Sequence, residues 1–158
     1  IYQDIDQPTY LWCCVFNLKT SEITIGTIRG HIFIVNSNNQ VIRIIVTNNE
    51  NMRINSIEID SLGRIWYISR DGKGYGVISK DKDIFIPGRI SAIYTDRNGG
   101  AYVAEKYNNI VKIKHIYEDC EKYEAIAEFA DIDVLVIFRN DNELWLGTSL
   151  GLYLIIEG

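Results

Sequence analysis

The sequence predicts an all-β fold built from four β-propeller blades, on three observations: a segment that recurs four times, short β-branched and aromatic runs within each copy, and polar turn clusters between those runs.

The recurrence is plainest in the middle of the chain. Ile57-Glu58-Ile59-Asp60-Ser61-Leu62-Gly63-Arg64-Ile65-Trp66-Tyr67-Ile68 aligns with Ile93-Tyr94-Thr95-Asp96-Arg97-Asn98-Gly99-Gly100-Ala101-Tyr102-Val103-Ala104, Asp on Asp, Gly on Gly and aromatic on aromatic. A further copy, Val136 to Thr148, brings Trp145 into register with Trp66. The most degenerate copy is Glu22-Ile23-Thr24-Ile25-Gly26-Thr27, which matches Glu143-Leu144-Trp145-Leu146-Gly147-Thr148 at three of six positions, with Ile in place of Leu at two more and a one-residue insertion in the strand before it. Positions 24, 66, 102 and 145 lie 42, 36 and 43 residues apart. The repeats span approximately 11–50, 51–88, 89–130 and 131–158, within one partial propeller domain over 1–158.

Each repeat reads as strand, tight polar turn, strand, short loop, strand. Innermost strands hold Ile57 and Ile59, Ile93 and Thr95, Val136 and Phe138. Second strands cover 23–27, 65–69, 101–105 and 144–148; third strands cover 31–35, 76–79, 110–113 and 152–155. Within residues 118–130, Tyr123, Ala125, Ala127 and Phe129 alternate with Glu124, Ile126 and Glu128, which predicts an outer strand and not a helix. In Asp60-Ser-Leu-Gly63 and Asp96-Arg-Asn-Gly99 the carboxylate caps backbone N–H groups while Gly takes positive φ, so both aspartates are read as structural. Asp141-Asn142 supplies similar chemistry in the last repeat, where Arg139 replaces the leading Asp. Trp66, Tyr102 and Trp145 recur once per blade, as packing between blades demands.

Composition narrows the function. Net charge is −5, with the sixteen Lys and Arg scattered, which argues against a nucleic-acid surface. Apolar residues make up 47%, and no apolar run is long enough to span a bilayer. The three cysteines, Cys13, Cys14 and Cys120, lack metal-ligand spacing; no metal or other cofactor is expected, and the thiols read as buried small hydrophobes. Cys13 and Cys14, adjacent on an extended segment, point to opposite faces. His31 and His115 stand in no catalytic motif and read as solvent-facing or hydrogen-bonded strand residues, so no enzyme is expected. The start at Ile1, without methionine or targeting peptide, predicts a piece of something longer.

Leu144-Trp-Leu-Gly-Thr-Ser-Leu-Gly-Leu-Tyr153 resembles the L-W-[IV]-G-T-x-x-G-L-x repeat of the two-component regulator propellers, and Ile57-x-x-Asp60-x-x-Gly63-x-Ile-Trp66 resembles its opening. Ala101-Tyr-Val-Ala-Glu105 with Asn108-Asn109-Ile110 is closer to NHL-type and streptogramin-lyase-like propellers. The resemblance implies an extracytoplasmic, periplasmic input domain of a hybrid sensor kinase that binds a ligand such as an oligosaccharide or another small molecule. The alternatives are a structural or protein-interaction propeller and, further off, a lyase-like enzyme. The sequence departs from the family in having four repeats where seven are usual, and it has no kinase motif.

Four blades either close by themselves or belong to a larger propeller; an incomplete propeller is expected, pairing with missing blades or with a second copy. The last repeat ends after its third strand unless residues 1–7 supply the fourth. Any ligand should meet the face made by the loops between second and third strands and by the connections from blade to blade. The candidate ligand-binding residues there are Arg29, Arg70, Lys73, Tyr75, Lys106 and Tyr107.

Overall fold

The computed structural model describes residues 10–47, 53–69, 74–79, 83–96 and 98–156. Among the described residues the polar turn clusters separate fifteen short strands, and there is no helix. Blade 1 holds β1 (Leu11–Asn17), β2 (Glu22–Thr27), β3 (His31–Val35) and β4 (Val41–Val46). Blade 2 holds β5 (Ile54–Ile59), β6 (Ile65–Ser69), β7 (Gly74–Ile78) and β8 (Asp83–Pro87). Blade 3 holds β9 (Ile90–Thr95), β10 (Ala101–Tyr107), β11 (Ile110–Ile116) and β12 (Tyr123–Ala130). Blade 4 is a three-stranded sheet of β13 (Val134–Asn140), β14 (Glu143–Thr148) and β15 (Gly151–Ile156). Every sheet is an antiparallel meander in chain order, and the innermost strands β1, β5, β9 and β13 lie beside one another in sequence. Residues 118–130 do furnish an outer strand, β12. The suggestion that residues 1–7 complete blade 4 falls outside the described residues.

The turns work as the sequence chemistry requires. Asp60 Oδ1 accepts the N–H groups of Leu62 (3.0 Å) and Arg64 (2.9 Å), and Asp96 Oδ1 accepts those of Asn98 (2.7 Å) and Gly100 (2.8 Å). Gly63 and Gly99 take φ of 78° and 88°, the left-handed region a Cβ would resist. In blade 4, Asp141 itself takes positive φ, 52°.

Three apolar layers fill the gaps between blades. Ile32, Ile45, Ile54, Ile57 and Tyr67 join blades 1 and 2; Trp66, Tyr75, Ile93 and Val103 join blades 2 and 3; Tyr102, Val111, Ile137 and Leu146 join blades 3 and 4. Polar clasps cross the same gaps. Arg64 donates to the carbonyls of Gly99 and Glu118, and Thr95 Oγ1 donates to Ile59 O at 3.2 Å. Tyr94 Oη donates to Arg139 O, also at 3.2 Å.

Trp66 and Tyr102 are buried, as inter-blade packing predicts, whereas Trp145 is only half-buried. The reason is positional. Trp145 lies on the face of blade 4 that points away from blade 3, with Val136, Leu152 and Leu154, and among the described residues no sheet covers it. Blade 1 shows the counterpart: Cys14, Phe16 and Ile23 lie on its outward face, with Phe16 54% exposed. The expectation that all three cysteines are buried therefore fails at Cys14. Cys13, on the opposite face, packs against the layer between blades 1 and 2, and Cys120 is buried.

Candidate functional site at the channel mouth

Every innermost strand begins with the same irregularity. Leu11 and Cys13 face Thr27 and Gly26, Ile54 and Ser56 face Ser69 and Ile68, Ile90 and Ala92 face Glu105 and Ala104, and Val134 and Val136 face Thr148 and Gly147. One residue per blade is left over as a β-bulge: Trp12, Asn55, Ser91 and Leu135. Bulges of this kind release a side chain from the ladder and re-aim it. The residues just before these strands, Tyr10, Arg53, Arg89 and Asp133, occupy equivalent places. Three of them show it in a shared hydrogen bond: Ile28 N–H donates to Tyr10 O (3.1 Å), Lys106 N–H to Arg89 O (2.6 Å) and Ser149 N–H to Asp133 O (2.8 Å).

Those of blades 2, 3 and 4 surround a cavity of about 640 Å³ where β5, β9 and β13 converge, lined by Arg53, Asn55, Glu58, Arg89, Ser91, Lys106, Asp133 and Leu135 among others. Arg53 is held in place, its Nε donating to Asn55 Oδ1 at 2.9 Å and its guanidinium lying 4.1 Å from the centre of the Trp12 ring. Lys106 is ion-paired with Asp133. Burial pushes the Glu58 carboxyl above its ordinary range. Beside this cavity lies a second basin of about 740 Å³, which shares Arg89 and Lys106 and adds Tyr107, Lys112 and Lys114.

The six residues picked out from sequence separate on this geometry. Lys106 and Tyr107 stand on the mouth face, although in β10 and not in a loop. Arg29 is half-buried in the turn between β2 and β3, its backbone N–H donating to Thr27 Oγ1. Arg70 and Lys73 fall outside the described residues. Tyr75 lies inside β7, 4% exposed and stacked on Trp66 with ring centres 6.0 Å apart, so its ring packs between blades and offers no open platform. Sequence reasoning missed Arg53 and Arg89. The signal was there: each stands seven residues before a turn aspartate, Asp60 or Asp96.

The opposite face holds the strand histidine with the most partners. His115 Nε2 lies 2.6 Å from Asp96 Oδ2, and its ring stacks on Tyr102 with centres 4.6 Å apart. Burial raises the Asp96 carboxyl, but the bonds from His115, Gly100 and Asn98 outweigh that and hold it below the ordinary carboxylate range. Asp96 is thus committed to the turn. His31 is half-buried and meets Phe33 edge-on.

No family model matches the chain, and no curated protein matches it. Solved structures do match. A structure described as the extracellular domain of a hybrid two-component system, BT4673 of B. thetaiotaomicron, superposes over 93% of this chain with a TM-score of 0.73 and 19% identity. The fold is a β-propeller. Virginiamycin B lyase from Staphylococcus aureus matches 96% of the chain (TM-score 0.73, 18% identity), and the computationally designed Ika4 protein matches 98% (TM-score 0.67, 12% identity). This propeller segment spans 22% of the BT4673 domain, 57% of the lyase and 95% of Ika4.

Proposed function

We propose that this chain is a non-enzymatic, ligand-binding propeller, a fragment of the extracytoplasmic input region of a two-component regulator, and that its ligand is a small molecule such as an oligosaccharide. The observation that carries the reading is the cavity at the channel mouth, where the bulged starts of β5, β9 and β13 present polar side chains on rigid strands. Likeness to the extracellular domain of BT4673 supports the sensor assignment. The test is a thermal-shift screen of glycans and metabolites against the purified chain. A ligand present at about 100 times its dissociation constant should add about 2.7 kcal/mol of stability. A screen of several hundred such compounds with no stabilisation would overturn the reading.

A second reading, a structural or interaction propeller, is favoured by the uncovered apolar faces of blades 1 and 4. These would pair with further blades or with a second copy of the chain. Lyase-like turnover, suggested by the match to virginiamycin B lyase, would be lost in His115→Ala or His31→Ala.

A further inference from the structure

We propose that the channel mouth is an oxyanion site in which Arg53 and Arg89, at equivalent positions of adjacent blades, together bind the carboxylate or sulfate group of the ligand. The inference rests on the ligand-binding reading above and names the chemistry that the site selects.

Charge pairing singles out these two residues. Among the described residues on this face, each lysine has its own carboxylate: Lys106 with Asp133, Lys112 with Glu128 at 3.2 Å, and Lys114 with Glu105. Neither arginine has one among the described residues. Arg53 spends its Nε on Asn55 and rests its plane on Trp12, which fixes the fork while leaving both terminal nitrogens without a described partner. Arg89 is exposed and its guanidinium makes no hydrogen bond or ion pair among the described residues. A fixed guanidinium fork fits a planar or tetrahedral oxyanion through two parallel hydrogen bonds, and holding it in advance reduces the ordering cost of binding.

The remaining charges in the cavity do not cancel the pair. Lys106 and Asp133 neutralise each other, and among the described residues of the lining Glu58 alone opposes the two arginines. In a chain of net charge −5, an uncompensated cationic spot on an otherwise acidic molecule draws small anions to one place. The repetition adds geometry. Arg53 and Arg89 each precede an inner strand of consecutive blades, so the polypeptide sets their spacing by the blade repeat and not by flexible loops.

The test uses the whole chain, with D-glucuronate and D-glucose 6-sulfate as probes and D-glucose as their neutral counterpart, read by calorimetry or by NMR shift titration. At least one charged sugar should bind about tenfold or more tightly than glucose. Glucuronate alone would identify a carboxylate site and the 6-sulfate alone a sulfate site; either outcome, or both, supports the proposal. Arg53→Ala and Arg89→Ala should each lower affinity about tenfold, Arg53→Lys by less, and Arg43→Ala on β4 by under about twofold. Glu58→Gln should tighten binding, because it removes the opposing charge. Should Arg53→Ala fail to fold, exposed Arg89 carries the test. Neutral glycans that bind as well as the acidic sugars and ignore both arginines would overturn the oxyanion site while leaving a ligand-binding propeller standing. Absence of binding by charged and neutral sugars alike would overturn the oxyanion site, with the wider screen then deciding the ligand-binding reading separately.

Discussion

Replacing Asp60 by alanine is expected to be the most damaging single change among the turns. Its side chain is fully buried and accepts four hydrogen bonds: Oδ1 takes two backbone N–H groups, and Oδ2 takes Arg64 Nε (2.7 Å) and Trp66 Nε1 (2.8 Å). Alanine strands the indole N–H of Trp66, itself 0% exposed, at a cost of about 1–3 kcal/mol. Removing one partner of a buried ion pair typically costs about 3–5 kcal/mol, and Arg64 recovers part of that through its bonds to Gly99 O and Glu118 O. A net loss of about 4 kcal/mol should lower Tm by roughly 8–16 °C in a domain of this size. The assay is differential scanning calorimetry of Asp60→Ala beside Asp141→Asn, which alters an exposed turn residue of blade 4 and should stay within about 0.5 kcal/mol of the parent. A drop of less than about 3 °C in Asp60→Ala would refute the claim that this carboxylate ties turn, clasp and core aromatic together.

Three further outcomes are expected. Burial pushes the Cys13 thiol up to about 11 and also raises Cys120, so iodoacetamide at pH 8 should label exposed Cys14 first; mass spectrometry showing Cys13 labelled equally fast would contradict its packing. Because the folded state holds the Asp96 carboxyl below its unfolded value of 3.8, its contribution to stability is complete above that pH and is lost as pH falls through the folded value. Denaturation midpoints at pH 5 and pH 3 should therefore differ less in Asp96→Asn than in the parent. On blade 4, Leu152→Ser and Leu154→Ser should reduce self-association in light scattering while changing Tm little, since both side chains lie on the uncovered face.

Most of the fold was legible because its determinants are local. Alternating apolar residues define strands, and the Asp-to-Gly spacing at 60–63 and 96–99 defines turns whose bonds close within four residues. Trp66 and Tyr102 could be read as core because recurrence in register implies a shared packing role. Trp145 recurs equally well, but its burial depends on what lies against blade 4, which no residue in its own repeat encodes. With the third strand read as 76–79, Tyr75 falls in the loop before it, yet it alternates with Val77 and faces the same layer as Trp66. The site was less visible for a related reason. A bulge inserts one residue and shifts the alternation of the inner strand, so Asn55 and Ser91 read as ordinary strand positions until the pairing register is known.

The four bulges also bear on how such a molecule can change. A leftover residue has no cross-strand partner, so its identity is uncoupled from ladder pairing. Trp12, Asn55, Ser91 and Leu135 are chemically unrelated side chains standing on one repeated backbone device. The position before each strand carries equal variety: Tyr10, Arg53, Arg89 and Asp133. Eight positions on one repeated device can therefore vary without disturbing the strand ladder, although Arg53, Asn55 and Trp12, which touch one another, would have to vary together.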